Sequence, residues 1–249
     1  MRSLKWIVGI CLLSLSLSSL LYAAATNYVP TPLDKALFDA VGAGNISAAS
    51  SLIAQGANIN AKERPWGLTP LLIAPDVSRE MVRYLLEKGA DVNAADREGI
   101  TVLMRAVHSR DSGNVKEVLN FLPKLEAKGT WNNTALTYAV VQGNPEMVKA
   151  LIDAGADLNT VRADGMTPFD MAKRRLMQAL SLLDEEPALP HNAAAASQHQ
   201  GISMAHDVSK ADIVSDSKAV LTMLKQAGAQ AGFGSGANTA VMQHRSPEE

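Results

Sequence analysis

The sequence predicts an all-α fold of stacked helix-turn-helix units, and three observations point to it. Gly56-Ala57-Asn58, Gly89-Ala90-Asp91 and Gly155-Ala156-Asp157 recur at an offset of 33 and then at twice that offset, one period and two. A second marker keeps the same beat: Thr69-Pro70-Leu71, Thr101-Val102-Leu103, Thr134-Ala135-Leu136 and Thr167-Pro168-Phe169 follow at steps of 32, 33 and 33. Apolar pairs recur at i, i+1, i+4 and i+5 between the markers, as Met81, Val82, Leu85 and Leu86 in one unit and Met147, Val148, Leu151 and Ile152 in another. A single pair of short helices cannot cover that stripe. Neighbouring units must bury it for one another, which makes the architecture a solenoid.

The elements follow in chain order. Arg2 and Lys5 precede an apolar run from Trp6 to Leu21, and Ala23-Ala24-Ala25 offers small residues for cleavage, so residues 1–25 read as a secretory signal peptide. The run is shorter than the ~20 residues of a spanning helix. Cys11 lies inside this segment and follows Ile10, where a lipid-modified signal needs a small residue, so the mature chain is expected to be cysteine-free with no stable membrane anchor. Each Thr-Pro-Leu element opens a short helix, because Pro is tolerated in the first turn where its missing N–H has no partner anyway. Gly44-Asn45, Gly113-Asn114 and Gly143-Asn144 are expected to end one helix and cap the next, with Ser78 taking the cap in the second unit. The third unit carries three extra residues between Ala106 and Gly113, and "FLPKLEAKG" where Gly-Ala-Asp is due, so a local distortion is expected there. Residues 187–215 read as an inserted loop low in large apolar residues. Beyond it, Val220, Leu221 and Leu224 align with Met147, Val148 and Leu151, with Ser217 as the cap and Gly228-Ala229 closing the helix. The Gly-, Ser- and Ala-rich stretch 231–249 reads as a disordered tail.

These markers, at this period, resemble the ankyrin repeat family over roughly residues 33 to 185. The resemblance implies an all-α ankyrin-repeat solenoid of stacked helix-turn-helix units with β-hairpin-like fingers between them. The expected repeats are 33–66, 67–98, 99–131, 132–164 and 165–229, the last interrupted by the insertion, so the domain runs over 33–229. One departure matters: the His that follows Thr-Pro-Leu in the family is replaced by Leu72, Met104, Thr137 and Asp170, which is expected to remove a hydrogen bond.

Composition narrows the function. Without Arg2 and Lys5 the chain keeps 21 basic and 25 acidic residues, a formal charge of about −4, with no basic stripe interleaved with aromatics. Nucleic acid is therefore not an expected partner. Lys173-Arg174-Arg175, the single basic cluster, reads as a solvated helix face. No phosphate-cradling glycine loop and no Gly-x-Ser-x-Gly is present, and His108 beside Arg110 and Asp111 has no nucleophile at a matching spacing. His191, His199 and His206 in the insertion match no compact ligand spacing, so no metal and no cofactor is expected. A metal-binding or enzymatic role for that insertion is the alternative reading.

The ankyrin resemblance implies a non-catalytic module, monomeric alone, that grips a protein partner. It places the contact surface on the fingers and on the exposed ends of the first helices. By alignment these residues are Lys62, Glu63, Arg64, Trp66 and Leu68; Arg97, Glu98 and Ile100; Trp131 and Asn133; and Asp164 and Met166, with His108, Val141 and Gln142 from the helix ends. Trp66 and Trp131 fall at the same finger position, where the other repeats carry Glu98 and Asp164. They read either as binding anchors or as rings packed on the neighbouring finger. With the export signal, the expected function is that of a scaffold, inhibitor or accessory factor of another protein, in the periplasm or secreted.

Overall fold

The structure, a computed structural model, describes residues 29–184 and 209–229. The expected signal segment 1–25 and tail 231–249 lie outside the described residues, as does the expected insertion 187–215 up to residue 208; its last residues, from Lys210 on, are helical rather than loop. The chain divides into two compact units, one up to Asp91 and one from Val92 on.

The first unit holds α1 (Pro32–Gly42), α2 (Ile46–Ala54), α3 (Pro70–Ile73) with a 3-10 turn at Ala74–Asp76, and α4 (Arg79–Glu87). Helix α1 opens on a capping box: the Thr31 hydroxyl accepts from the Asp34 N–H at 3.2 Å, and the Asp34 carboxylate accepts from the Thr31 N–H at 2.7 Å. Asn45 caps α2 and Ser78 caps α4, as the sequence predicts. Helix α3 is cut to four residues because Pro75 follows at once and has no N–H to continue it. Leu37, Val41, Leu71, Leu72, Met81, Val82 and Leu85 are buried between α1, α3 and α4 and form this unit's core.

The second unit holds α5 (Val102–His108), α6 (Ser112–Leu119), a 3-10 turn at Thr130–Asn132, α7 (Ala135–Gln142), α8 (Pro145–Asp153), α9 (Pro168–Asp184) and α10 (Lys210–Gln226). The first helices α5, α7 and α9 pack in one row and the second helices α6, α8 and α10 in another, with each pair also packed internally. Met104, Val107, Leu136, Val140, Met147, Val148 and Leu151 are buried at this double seam. On the surface of the second row, Lys116 and Ser112 of α6 hydrogen-bond Glu146 of α8 and hold its carboxyl below the usual range. That pair is solvent-exposed and adds little to stability.

Side chains also bridge successive units at the repeat's own period. Asn60 accepts from the Asp91 N–H at 2.9 Å, Asn93 from the Lys124 N–H at 2.7 Å, and Glu126 from the Asp157 N–H at 2.7 Å. Acceptors and donors both advance by one full period at each step, so the Asn of Gly-Ala-Asp-x-Asn serves the next unit rather than its own.

Two expectations about caps are corrected. Gly113-Asn114 is not a helix junction: α5 ends at His108, Arg110 takes the left-handed turn at φ 59°, and Asp111 caps α6 by accepting from the Gly113 N–H. Asn114 is buried inside α6. Arg110 and Leu122 have the same separation along the chain as Gly143 and Gly155, and Leu122 has φ 51° where Gly155 has φ 91°. The third unit therefore has no insertion; it puts ordinary residues into both left-handed slots. Ser217 is not a cap either. Helix α10 starts at Lys210 under a Ser209–Asp212 capping box, and the buried Ser217 hydroxyl donates to the Ile213 carbonyl one turn back.

The missing His is only partly missed. Thr137 accepts from the Thr134 N–H at 2.8 Å and Asp170 from the Thr167 N–H at 3.0 Å, so two of the four replacements restore a bond to the opening Thr. Leu72 and Met104 are buried apolar residues.

Helix α10 closes as the other second helices do. The Ala229 N–H donates to the Leu224 carbonyl at 2.9 Å, matching Ala57 to Leu52, Ala90 to Leu85 and Ala156 to Leu151. Pro123 removes that bond in the third unit.

Two stability outcomes follow. A left-handed non-glycine residue is disfavoured by about 1 kcal/mol, and Leu122 is 87% exposed, so Leu122→Gly should stabilise the fold by about that amount in denaturant unfolding. Leu224 is fully buried and Leu221 half-buried, so Leu224→Ala should cost about 3 kcal/mol and Leu221→Ala about 1 kcal/mol. Equal, negligible losses would show that α10 is not part of the core.

Candidate functional site

Four fingers project between the helices, each closed by a backbone hydrogen bond across its base. The Glu63 N–H donates to Leu68 at 2.8 Å in the first unit. Asp96 to Ile100 (3.1 Å), Gly129 to Asn133 (2.9 Å) and Arg162 to Met166 (3.0 Å) close the other three in the second unit. The first finger is one residue longer, which accounts for the step of 32 in the Thr marker. Among the described residues the fingers hold isolated bridges, Glu63 with Leu68 and Ala95 with Thr101, and no extended strand.

Each finger has a left-handed residue just before its closing position: Gly67, Gly99, Asn132 and Gly165, with φ of 73°, 78°, 57° and 80°. Gly99 is also needed for space, since a Cβ there would sit 2.9 Å from the Lys128 carbonyl oxygen of the next finger. The second finger is stiffened by Asp96, whose carboxylate accepts from the Glu98 and Ile100 N–H groups, both at 2.9 Å, and pairs with Arg105 at 3.3 Å.

The third finger differs from the rest. Trp131 and Asn132 are both left-handed, at φ 61° and 57°, a pairing that turns the chain tightly at the tip. Bonds on both sides fix this turn. The Asn133 amide donates to the Thr130 carbonyl at 2.9 Å, and the Trp131 carbonyl accepts from the Ala163 N–H of the fourth finger at 3.0 Å.

The predicted contact residues are distributed over both units. In the first, Lys62, Glu63, Arg64 and Trp66 are exposed and Leu68 is half-buried. In the second, Arg97, Glu98, His108, Trp131, Val141 and Asp164 are exposed, and Ile100, Gln142 and Met166 are half-buried. Trp66 is 61% and Trp131 67% exposed, so neither ring is covered by its neighbours. Asn133 is different: it is buried, with its amide turned back into its own finger, and it shapes the tip without facing solvent. His191, His199 and His206 lie outside the described residues. Among the described residues no three His, Cys, Asp or Glu side chains cluster as metal ligands, and no helix is long and apolar enough to cross a membrane.

One residue escaped the sequence reading. Arg175 belongs to the run read as a solvated helix face, yet it is half-buried and its Nη1 donates to the Val141 carbonyl at 2.7 Å. The signal that could have found it is Gly143, at the end of the preceding repeat's first helix, whose bare Cα leaves the space the guanidinium fills.

A family model for ankyrin repeats (3 copies) matches residues 37–128, and a second, for ankyrin repeats (many copies), matches 133–180. This chain belongs to the ankyrin repeat family. Its fold class is the all-α ankyrin-repeat solenoid, and ankyrin repeats form a protein–protein interaction module in a family that is generally non-catalytic. Among relatives, a mitochondrial disaggregase of Bos taurus is 33% identical over 149 residues, covering 58% of this chain and 22% of that protein. The Homo sapiens mitochondrial disaggregase is 30% identical over 200 residues, covering 67% of this chain and 28% of that protein. An ankyrin repeat, SAM and basic leucine zipper domain-containing protein 1 of Dasypus novemcinctus is 31% identical over 141 residues, 53% of this chain and 29% of that protein. The ankyrin chain thus spans under a third of the length of these relatives.

Proposed function

We propose that this chain is an exported, non-catalytic ankyrin module that grips another exported protein through its fingers, in the periplasm or outside the cell, as scaffold, inhibitor or accessory factor. The observation that carries the reading is Trp131. A bulky aromatic stands at φ 61° with 67% of its surface exposed, on a finger whose backbone is fixed on both sides. Left-handed backbone disfavours a bulky side chain, and strain of this kind ordinarily accompanies compensating contacts or a function. The exposed ring makes few such contacts. A rigid, exposed Trp loses little conformational entropy when a partner covers it, and Trp is among the residues that dominate binding energies.

The neighbouring side chains support an amphipathic contact. Arg97, Glu98 and Asp164 supply charge at the finger tips, Ile100 and Met166 supply apolar surface beneath them, and His108, Val141 and Gln142 continue it along the helix ends. In the first unit Trp66, Arg64 and Leu68 form a second set of the same kind. Helices α9 and α10 are taken as a fifth repeat, and the mature chain as a monomer that needs no metal or cofactor. Export rests on Arg2 and Lys5, the apolar run from Trp6 to Leu21 and the Ala triplet that follows it.

Two experiments test this. The mature protein is used to isolate its partner from the native envelope fraction, and the purified pair is titrated. Trp131→Ala and Trp66→Ala should each weaken affinity about 30-fold, roughly 2 kcal/mol, with little change in melting temperature. Lost stability with unchanged affinity would remove the anchor assignment. Separately, the N-terminus of protein recovered from the envelope or medium should begin between Ala24 and Asn27. An intact Met1 there would refute cleavage.

A further inference from the structure

A cleft in the second unit lies away from the finger tips, where the end of α7 and the start of α8 meet α9 and α10. It is open to solvent, offers about 610 Å³ and is bordered by Arg110, Val141, Gln142, Arg175, Ile213 and Asp216. Two guanidinium groups and one carboxylate thus face a shared concavity.

The arrangement of the two arginines is specific. Arg175 reaches from α9 across the α7–α8 turn to Gly143, so close that a Cβ at that position would collide with its guanidinium. Its Nη1 caps the last turn of α7 through the Val141 carbonyl, which holds the guanidinium in place. Arg110 comes from the α5–α6 turn, presented by a left-handed backbone at φ 59° and exposed. Among the described residues the Arg110 side chain has no hydrogen bond or ion pair, and neither has that of Asp216. The Arg175 pKa is pushed down by burial, with Asp216 opposing that shift and Arg110 adding to it more weakly. Arg175 thus sits in a partly desolvated hollow where Asp216 acts on it more strongly than Arg110 does, although no hydrogen bond or ion pair joins Asp216 to either arginine. The N-terminus of α8 does not account for the site, since the Glu146 and Met147 N–H groups are both taken by the Asn144 side chain.

We propose that this cleft binds an anionic oxygen group, a carboxylate or a phosphate, between the guanidinium groups of Arg110 and Arg175. A planar guanidinium matches the paired oxygens of either group, and a concave, weakly solvated wall strengthens the attraction. Asp216, which borders the same cleft, limits the affinity. Val141 and Gln142 border this cleft as well as the proposed partner surface, but the anion site needs only Arg110 and Arg175, so it can hold even if the partner assignment fails.

The test titrates the full mature chain with inorganic phosphate and, separately, with acetate, at fixed ionic strength set by chloride, following heat or amide chemical shifts. At least one anion should saturate a single site in the millimolar range or tighter. Arg110→Gln, at an exposed turn, should weaken that binding about tenfold, and Asp216→Asn should tighten it severalfold. Opposite signs for two charge-removing variants separate a built site from general charge attraction. Saturation by phosphate alone identifies a phosphate-bearing ligand, and saturation by acetate a carboxylate-bearing one. No saturation by either anion, or unchanged affinity in Arg110→Gln, would overturn the proposal.

Discussion

None of the first helices in the second unit before α9 exceeds eight residues, and none of the second helices before α10 exceeds nine. Helices this short do not persist alone in water, and a two-helix pair leaves half its apolar stripe exposed. Everything else depends on that shortfall. Met104, Leu136 and Val140 on one row, and Val115, Val148 and Leu151 on the other, are buried only because the next pair lies against them. The bridge from each Asn or Glu to the backbone N–H of the next unit then sets register. A slip of one residue would leave the Lys124 and Asp157 N–H groups facing the wrong acceptor. Each such bond is exposed and modest in energy, so its role is to specify alignment, while apolar burial supplies the stability.

Because neighbours dictate the backbone, the repeat keeps its shape even where its sequence lapses. Among the described residues the left-handed non-glycine residues are Arg110, Leu122 and Trp131 in the repeat 99–131 and Asn132 at the start of the next. Arg110 and Leu122 occupy the two turn slots that Gly143 and Gly155 fill one repeat later, and Asn132 the finger slot of Gly165. Local preference loses at each because yielding would break packing on both sides. Two of the four bear side chains assigned to binding here, Trp131 at a finger tip and Arg110 beside the cleft. Leu122 has no such role on this account.

The period, the opening Thr markers and the apolar pairs were legible because each has a fixed physical cause that spacing alone reveals. Caps were legible where the residue type was unambiguous, as at Asn45, Ser78 and Asn144. They failed at Gly113-Asn114, where a dipeptide of the right composition sits three residues late inside a helix and the true turn is made by Arg110-Asp111. Matching the separation of the two left-handed slots to that of Gly143 and Gly155 would have exposed the error. Ser217 misled for a similar reason: a hydroxyl can cap a helix or bond back within one, and only the Ser209–Asp212 capping box upstream decides between them. The fingers were placed correctly by alignment, but exposure within them was not predictable, since Asn133 turns inward and Trp131 outward two residues apart. Arg175 could not be found from its own run of basic residues. Its position follows from the gap at Gly143, a tertiary fact.

The claim that joins fold to function is that the third finger carries backbone strain in order to present an exposed ring. Trp131→Gly separates the two parts of that claim in one variant, because glycine relieves φ 61° and removes the ring together. Unfolding free energy and partner affinity are measured side by side on this variant and wild type. The expected variant is more stable by about 1 kcal/mol and binds its partner far more weakly. A less stable protein with undiminished affinity would show that the ring serves the fold and not a partner.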